Sequence, residues 1–180
     1  MKTIARILYR ITAGRPCRLI HRGQGERYLE RYWLGRLFGI TAYLHRFVAR
    51  DADEWVHDHP WAWSVAIVLT GGYLEERLRW FDPRTGWAKR FRWLRAGRIN
   101  IIRGRDFHRI LEAHPETWTL FIHGRRVKSW GFLKYVKFKH PPQAGVTVYD
   151  QPYNIAANSS WQTTADPGRL ADRAPMEDGA

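Results

Sequence analysis

The chain has 180 residues, of which 44% are hydrophobic and 14% aromatic, a composition typical of a single globular domain with a sizeable core. Its net charge is +13, and because residues 141–180 carry a balance of −3, residues 1–140 hold +16. This charge favours anionic partners, which include nucleic acid, phosphorylated metabolites, an acidic protein or an anionic membrane surface, unless it serves only solubility.

Three absences limit the cellular setting. The single cysteine, Cys17, excludes an intrachain disulfide and a zinc ribbon, and it indicates a reducing compartment. No segment approaches ~18 consecutive apolar residues, so we expect no transmembrane helix. Arg6 and Arg10 interrupt the apolar region that a signal peptide would require. The sequence therefore predicts a cytoplasmic protein.

The first predicted element is a helix over residues 2–12, within an N-terminal basic amphipathic segment formed by residues 1–24. Four apolar side chains recur in it at helical spacing: Ile4, Ile7, Leu8 and Ile11. Either this apolar face packs on the domain that follows, or the helix lies on a membrane or a partner. We favour packing on the domain, because about three turns of helix are short for independent binding.

Short segments rich in aromatic and β-branched residues follow the helix, with turn signals every 8–12 residues. The predicted strands span residues 27–34, 40–48, 55–60, 63–70, 73–81, 87–94, 98–103, 107–112, 117–123 and 127–138. This pattern predicts an all-β sandwich or barrel over residues 25–140. Residues 141–180 lose the periodicity and predict an extended arm with a disordered acidic tail, in which residues 146–149 and Trp161 are candidates for docking on the domain.

Two histidines on the third predicted strand are the first functional signal. In an extended segment, alternation places His57 and His59 on one face and Asp58 on the other. Both imidazoles can then bind one transition metal ion, for which neutral imidazole is a common ligand. The alternative is that both histidines are hydrogen-bonded structural residues of the strand.

A second motif follows about 50 residues later. A strand bounded by Gly97 and Gly104 leads through a turn to His108. The two motifs together resemble those of the cupin superfamily, which are small jelly-roll β-barrels. The resemblance implies a single jelly-roll domain with a short N-terminal helix and a flexible C-terminal tail. It also implies that His57, His59 and His108 converge on a metal inside the barrel.

The cupin pattern has a glutamate ligand near Ser64, where this chain has no carboxylate. A three-histidine centre is one alternative, as in the thiol dioxygenase branch of the superfamily. In the other, a further residue completes the site. Glu75 is a candidate because alternation after the Gly71 turn returns its side chain to the interior, where a carboxylate needs a partner. His45, one strand earlier on an aromatic face, is another candidate.

At closer range the chain resembles a group of small bacterial and phage-associated cupin-like proteins. The segments that carry this resemblance are residues 43–47, 57–61, 72–75, 108–110, 118–121 and 130–132. It implies a fold and a metal site, with one divalent transition metal as the cofactor. We expect Fe(II) first, with Zn, Ni, Mn and Cu as the alternatives.

Candidate substrate-binding residues lie beside these histidines. Arg46 and Arg109 are the candidate clamps for a carboxylate or phosphate, although alternation places each on the opposite face from its neighbouring histidine. Tyr43 and His45 complete the set. The predicted function is a metal-binding protein that acts on a small anionic molecule, with a mononuclear non-haem dioxygenase as the enzyme expected.

Two alternatives to an enzyme stay open. The basic barrel could be a non-catalytic module that binds nucleic acid or an acidic protein, since tryptophan and arginine interleave over residues 80–93. No recognised nucleic-acid motif accompanies this pattern, so we do not favour it. The chain could also act as an interaction protein, through its acidic tail or as a homodimer.

Overall fold

A computed structural model describes residues 2–21, 27–49, 56–82, 86–114, 116–137, 144–151 and 160–176. The first residue of the predicted strand over residues 55–60 lies outside these residues. Helix α1 (Lys2–Ile11) begins the chain, and a 3₁₀ turn (Thr12–Gly14) follows it. Within the described part of the chain, no helix has the length and apolar character needed to cross a bilayer.

Twelve strands and one further short helix make up the rest of the described chain. The first six strands are β1 (Cys17–His21), β2 (Arg27–Leu37), β3 (Ile40–Phe47), β4 (Val56–His57), β5 (Trp63–Thr70) and β6 (Gly72–Asp82). The others are β7 (Gly86–Arg95), β8 (Ile99–Arg103), β9 (His108–Ala113), β10 (Thr117–His123), β11 (Trp130–Lys137) and β12 (Ala144–Gln151), before helix α2 (Trp161–Thr164).

The strands pair antiparallel in two sheets of six, with the orders β1-β2-β3-β10-β5-β8 and β12-β11-β4-β9-β6-β7. Strands β3 to β10 supply β3-β10-β5-β8 to one sheet and β4-β9-β6-β7 to the other. This arrangement is that of a jelly roll, in which eight strands form two Greek keys across two sheets. The predicted all-β jelly roll with a short N-terminal helix is therefore confirmed, and β1 and β12 extend one edge of each sheet.

Two of these strands were not predicted. Strand β1 pairs with β2 through five residues, and it begins directly after the proline that ends the N-terminal turn. Strand β12 pairs with β11 along its whole length, from Lys137 opposite Ala144 to Trp130 opposite Gln151. Both are edge strands with mixed polar and apolar residues, so that their pairing follows from neighbouring strands and not from a strong hydrophobic alternation of their own.

Helix α1 packs on the outer face of the first sheet. Its buried residues are Ala5 and Leu8, which join a cluster containing Tyr32 and Trp118. The other predicted members of its apolar face stay about half exposed: Ile4, Ile7 and Ile11. The predicted packing on the domain is therefore present, but the helix is rotated so that the small Ala5 faces the sheet and the isoleucines lie to one side.

Residues 160–176 return to the same face, whereas the sequence predicted an arm and a disordered tail here. The backbone N–H of Cys17 donates to the carbonyl of Asp166 at 2.9 Å, and Arg46 donates to the carbonyl of Pro175 at 2.7 Å. These contacts use backbone atoms, which the side-chain composition does not reveal, whereas Trp161, a predicted docking residue, stacks on Tyr43 with ring centroids 5.8 Å apart. Residues 152–159 and 177–180 lie outside the described part.

Candidate metal centre

Strand register brings the three predicted metal ligands together. In the antiparallel pair of β4 and β9, His57 lies directly opposite His108. His59 follows two residues after His57 and lies on the same face. One ring nitrogen or other ligand atom from each of the three residues lies within 4.8 Å of the other two, and the described residues hold no second such cluster.

The spacing of two of these imidazoles suits a shared ion. Nε2 of His59 and Nε2 of His108 are 2.8 Å apart. Two nitrogens bound at right angles to one metal, each ~2.1 Å from it, lie roughly 3 Å apart. Only 6% of His59 and 5% of His108 are exposed, so that solvent does not compete for these nitrogens.

In two of the three histidines, the Nδ1 atom has a polar neighbour among the described residues. Nδ1 of His108 donates to Oε1 of Glu75 at 2.9 Å, so that Nε2 is the ring nitrogen that faces the other histidines. Nδ1 of His59 is 3.3 Å from the Ser64 hydroxyl. Nδ1 of His57 is buried and has no hydrogen-bond partner among the described residues. Partners of this kind fix the tautomer and orientation of metal-binding histidines.

Burial favours the neutral form of His57 and of His59. It lowers the pKa of His57 to about 3, with a smaller contribution from the nearby His108. Burial also lowers the pKa of His59 well below its ordinary value, and it is lowered further because a proton on His59 would be repelled by one on His108 or His57. A neutral imidazole presents a nitrogen lone pair, which is the form that binds a metal.

Glu75 lies behind this cluster and not within it. Its Oε1 also accepts hydrogen bonds from Arg77 at 3.0 Å and from Asn100 at 2.8 Å, and its Oε2 accepts one from Arg92 at 3.3 Å. Burial alone would raise its pKa, but the hydrogen bond from His108 and the charges of His108 and Arg77 lower it to about 2. The ionised carboxylate therefore orients His108, and the cluster itself contains no carboxylate.

A cavity of about 90 Å³ opens in front of the imidazoles. Its walls are largely apolar and include Trp61, Phe121 and Trp130. Arg31 also lines it and donates from Nε to Nε2 of His45 at 3.0 Å. Burial lowers the pKa of His45 well below its ordinary value, and the charge of Arg31 lowers it further. His45 is therefore neutral and accepts the hydrogen bond from Arg31.

Of the four predicted substrate-binding residues, His45 is the one that lines this cavity in the described chain. Arg46 points to the outer face, where it is 1% exposed and forms ion pairs with Glu30 at 3.2 Å and with Glu116. Arg109 donates from Nε to Glu76 at 2.6 Å. Alternation had already placed both arginines opposite their neighbouring histidines, and the structure agrees.

Tyr43 lies beside the cavity wall in an aromatic stack. Its ring centroid is 5.7 Å from that of His123 and 5.8 Å from that of Trp161. The sequence reasoning missed Arg31, although both of the strands involved were predicted. Arg31 is the residue opposite His45 in the pair of β2 and β3, and this register was the missing information.

No protein-family model matches the chain, and no curated protein matches it. Among solved structures, KdgF from Halomonas sp. matches with 13% identity and a TM-score of 0.43, over 62% of this chain and 88% of that one. A cupin-superfamily protein from Desulfitobacterium hafniense matches with 12% identity and a TM-score of 0.39, over 54% of this chain and 77% of that one.

A third solved structure, Streptomyces albus HEPD with 2-hydroxyethylphosphonate and Fe(II) bound, matches with 12% identity and a TM-score of 0.46. The match covers 61% of this chain but 24% of that one, so that the chain spans about a quarter of that protein. The chain is therefore a distant match to structures of cupin-superfamily proteins, and at these TM-scores the likeness carries no argument about its activity.

Proposed function

We propose that this protein binds one divalent transition metal through His57, His59 and His108 and uses it to transform a small anionic molecule. One observation carries the proposal: three imidazoles converge at a cavity with largely aromatic walls, with one ligand atom of each within 4.8 Å of the others. In this arrangement Nδ1 of His57 is buried without a hydrogen-bond partner among the residues that the structure describes. Convergent histidines of this kind are a common transition-metal site.

The residues around the ligands have separate tasks in this proposal. The bound metal would supply Lewis-acid or redox chemistry to a substrate in the cavity. Glu75 holds a proton at Nδ1 of His108, so that the lone pair of Nε2 faces the cluster. The aromatic walls formed by Trp61, Phe121 and Trp130 exclude water and strengthen electrostatic contacts inside.

Three neutral nitrogen ligands leave coordination positions for a substrate, and Fe(II) with dioxygenase chemistry is the first reaction to test. Arg31 is the group we assign to the anionic part of the substrate, in place of Arg46 and Arg109. It is the arginine that lines the cavity among the described residues, and guanidinium groups recognise carboxylates and phosphates through paired hydrogen bonds.

Metal binding can be measured without knowledge of the substrate. Wild-type protein from iron-supplemented medium, purified without oxygen, should carry one iron per chain by elemental analysis. His57→Ala and His108→Ala should lose stoichiometric metal. His114→Ala is the matched control, because His114 is exposed and stacks on Trp93 away from the cavity.

Wild-type protein that takes up no stoichiometric Fe, Zn, Ni, Mn or Cu would refute the proposal. Equal metal loss in His114→Ala would show that the two cavity variants act through folding and not through coordination. The buried free thiol of Cys17 agrees with a cytoplasmic location, which stays part of the proposal together with the homodimer.

A further inference from the structure

A second concave site lies on the other side of the ligand-bearing segment. His57 and His59 face the cavity, whereas Asp58 between them faces an open groove of about 460 Å³, which we call the outer groove. Its lining residues are Asp58, Ala62, Arg103, Gly104, Arg105, Phe107, Val127 and Lys128. This volume is within the range of small-molecule sites, ~300 to 1,000 Å³.

Backbone hydrogen bonds hold the walls of the outer groove in place. The N–H of Gly104 donates to the carbonyl of Ala62 at 3.1 Å, and the N–H of Ala62 donates to the carbonyl of Arg125 at 3.1 Å. The N–H of Val127 donates to the carbonyl of Pro60 at 2.8 Å. Three separate chain segments are thus tied together, and the groove is formed without a ligand.

Gly104 has a specific role in this wall. A Cβ atom at this position would lie 2.3 Å from the carbonyl oxygen of Trp61, so that only glycine permits the close approach. The same turn is fixed by Asp106, whose carboxylate accepts from the backbone N–H of Arg103 at 3.0 Å. The backbone that carries Arg103 and Arg105 is therefore rigid, although both side chains are exposed.

The groove carries an excess of positive charge. Neither guanidinium group, of Arg103 or of Arg105, has an acidic partner within the ranges that the structure describes. The carboxylate of Asp58, by contrast, accepts from the backbone N–H of Gly131 at 2.8 Å and forms an ion pair with Lys128. Two unpaired cations remain on one side of the groove, and guanidinium groups bind phosphate through paired hydrogen bonds.

The rest of the lining is apolar. Phe107, Val127 and Ala62 form it, and Val127 is 53% exposed. We infer that the outer groove binds a phosphate ester that also carries an aromatic or apolar group, such as a nucleoside diphosphate. The phosphates contact Arg103 and Arg105, and the apolar group covers Phe107 and Val127. This site is separate from the proposed metal centre and does not depend on it.

Isothermal titration calorimetry with ADP at low salt tests this inference. Wild-type protein should bind ADP at one site per chain, and the double variant Arg103→Ala/Arg105→Ala should bind it at least about tenfold more weakly, as expected for the loss of charged hydrogen bonds. The matched control is Arg95→Ala/Arg98→Ala, which removes the same charge from exposed positions outside the groove. His57→Ala should bind ADP as tightly as the wild type, whatever its metal content.

Three results would overturn the inference. The first is an absence of ADP binding by folded wild-type protein at low salt. The second is an equal loss of affinity in Arg95→Ala/Arg98→Ala, which would identify a general effect of charge. The third is pyrophosphate binding as tight as that of ADP, because the apolar lining would then contribute nothing. Thermal unfolding of each variant confirms that it is folded during the titration.

Discussion

The contact between Glu75 and His108 makes a sharp prediction about metal affinity. In Glu75→Gln, the amide replaces an ionised carboxylate that accepts the Nδ1 proton of His108 at 2.9 Å. A hydrogen bond to a charged group contributes about 1.5 to 3 kcal/mol, which corresponds to ~10- to 100-fold in an equilibrium constant. Loss of a residue that orients a metal-binding histidine typically has an effect of this size, ~10- to 100-fold.

Glu76→Gln is the matched control for this change. Glu76 is the next residue, is 1% exposed against 0% for Glu75, and also pairs with two cations, Arg109 and Lys89. Its carboxylate lies on the opposite face, where its partners in the described part of the chain are these two cations and not a histidine of the cluster. Both variants remove the negative charge that pairs with two cations, so both should lose stability, while only Glu75→Gln should lose metal affinity.

Titration of metal-free protein with Co(II), followed by visible absorption, measures the metal affinity and reports which residues bind the metal. The expected result is a ~10- to 100-fold weaker affinity for Glu75→Gln, with absorption bands at unchanged wavelengths, because the three ligands stay the same. A changed band pattern would show that Glu75 itself binds the metal. Equal affinities of Glu75→Gln and Glu76→Gln would refute the orienting role.

Two further predictions concern the cavity and its wall. Arg31→Met should weaken acetate binding to the Co(II)-loaded protein by about tenfold or more in a spectroscopic titration, while Arg109→Met should not. Burial lowers the pKa of His123 to about 4, and the charges of Arg31 and Arg36 also lower it, although the hydrogen bond to the carbonyl of Gly124 acts in the opposite direction. Between pH ~6.5 and ~4 the unfolded chain therefore binds a proton at His123 that the folded chain does not, and the free energy of unfolding falls as the pH drops. Urea unfolding of metal-free protein at pH 7 and pH 5 measures this fall. The wild type should lose about 1 to 2 kcal/mol more than His123→Phe. Equal losses would contradict the neutral His123.

Alternation predicted the main features of the fold and of the metal cluster. The period of two placed His57 and His59 on one face, and the glycine-framed turn placed His108 at the start of a strand. In the structure β4 and β9 pair so that His57 faces His108. The strands and turns depend on local sequence, which is why one chain was sufficient to predict them. The convergence of His108 with His57 and His59 is not local, and it was expected from the resemblance to the cupin motifs.

Alternation within a strand does not predict the register between two paired strands. The pairing of β6 with β9 shifts between Leu74 and Glu75, and a shift of this kind changes which side chains meet across the sheet. Glu75 contacts Nδ1 of His108 and lies outside the cluster formed by the three histidines. Arg31 was missed for the same reason, because only the register of β2 and β3 reveals that it faces His45.

The structure also divides the positive charge of this chain into two uses. Several arginines neutralise buried carboxylates, as Arg46 does for Glu30 and Arg77 does for Glu75. A buried carboxylate needs such a cation, so that these arginines stabilise the fold and contribute little to the recognition of a partner. The charge that can attract an anion is therefore smaller than the net +13 indicates, and it lies where arginines have no acidic partner in the described chain, as at the outer groove.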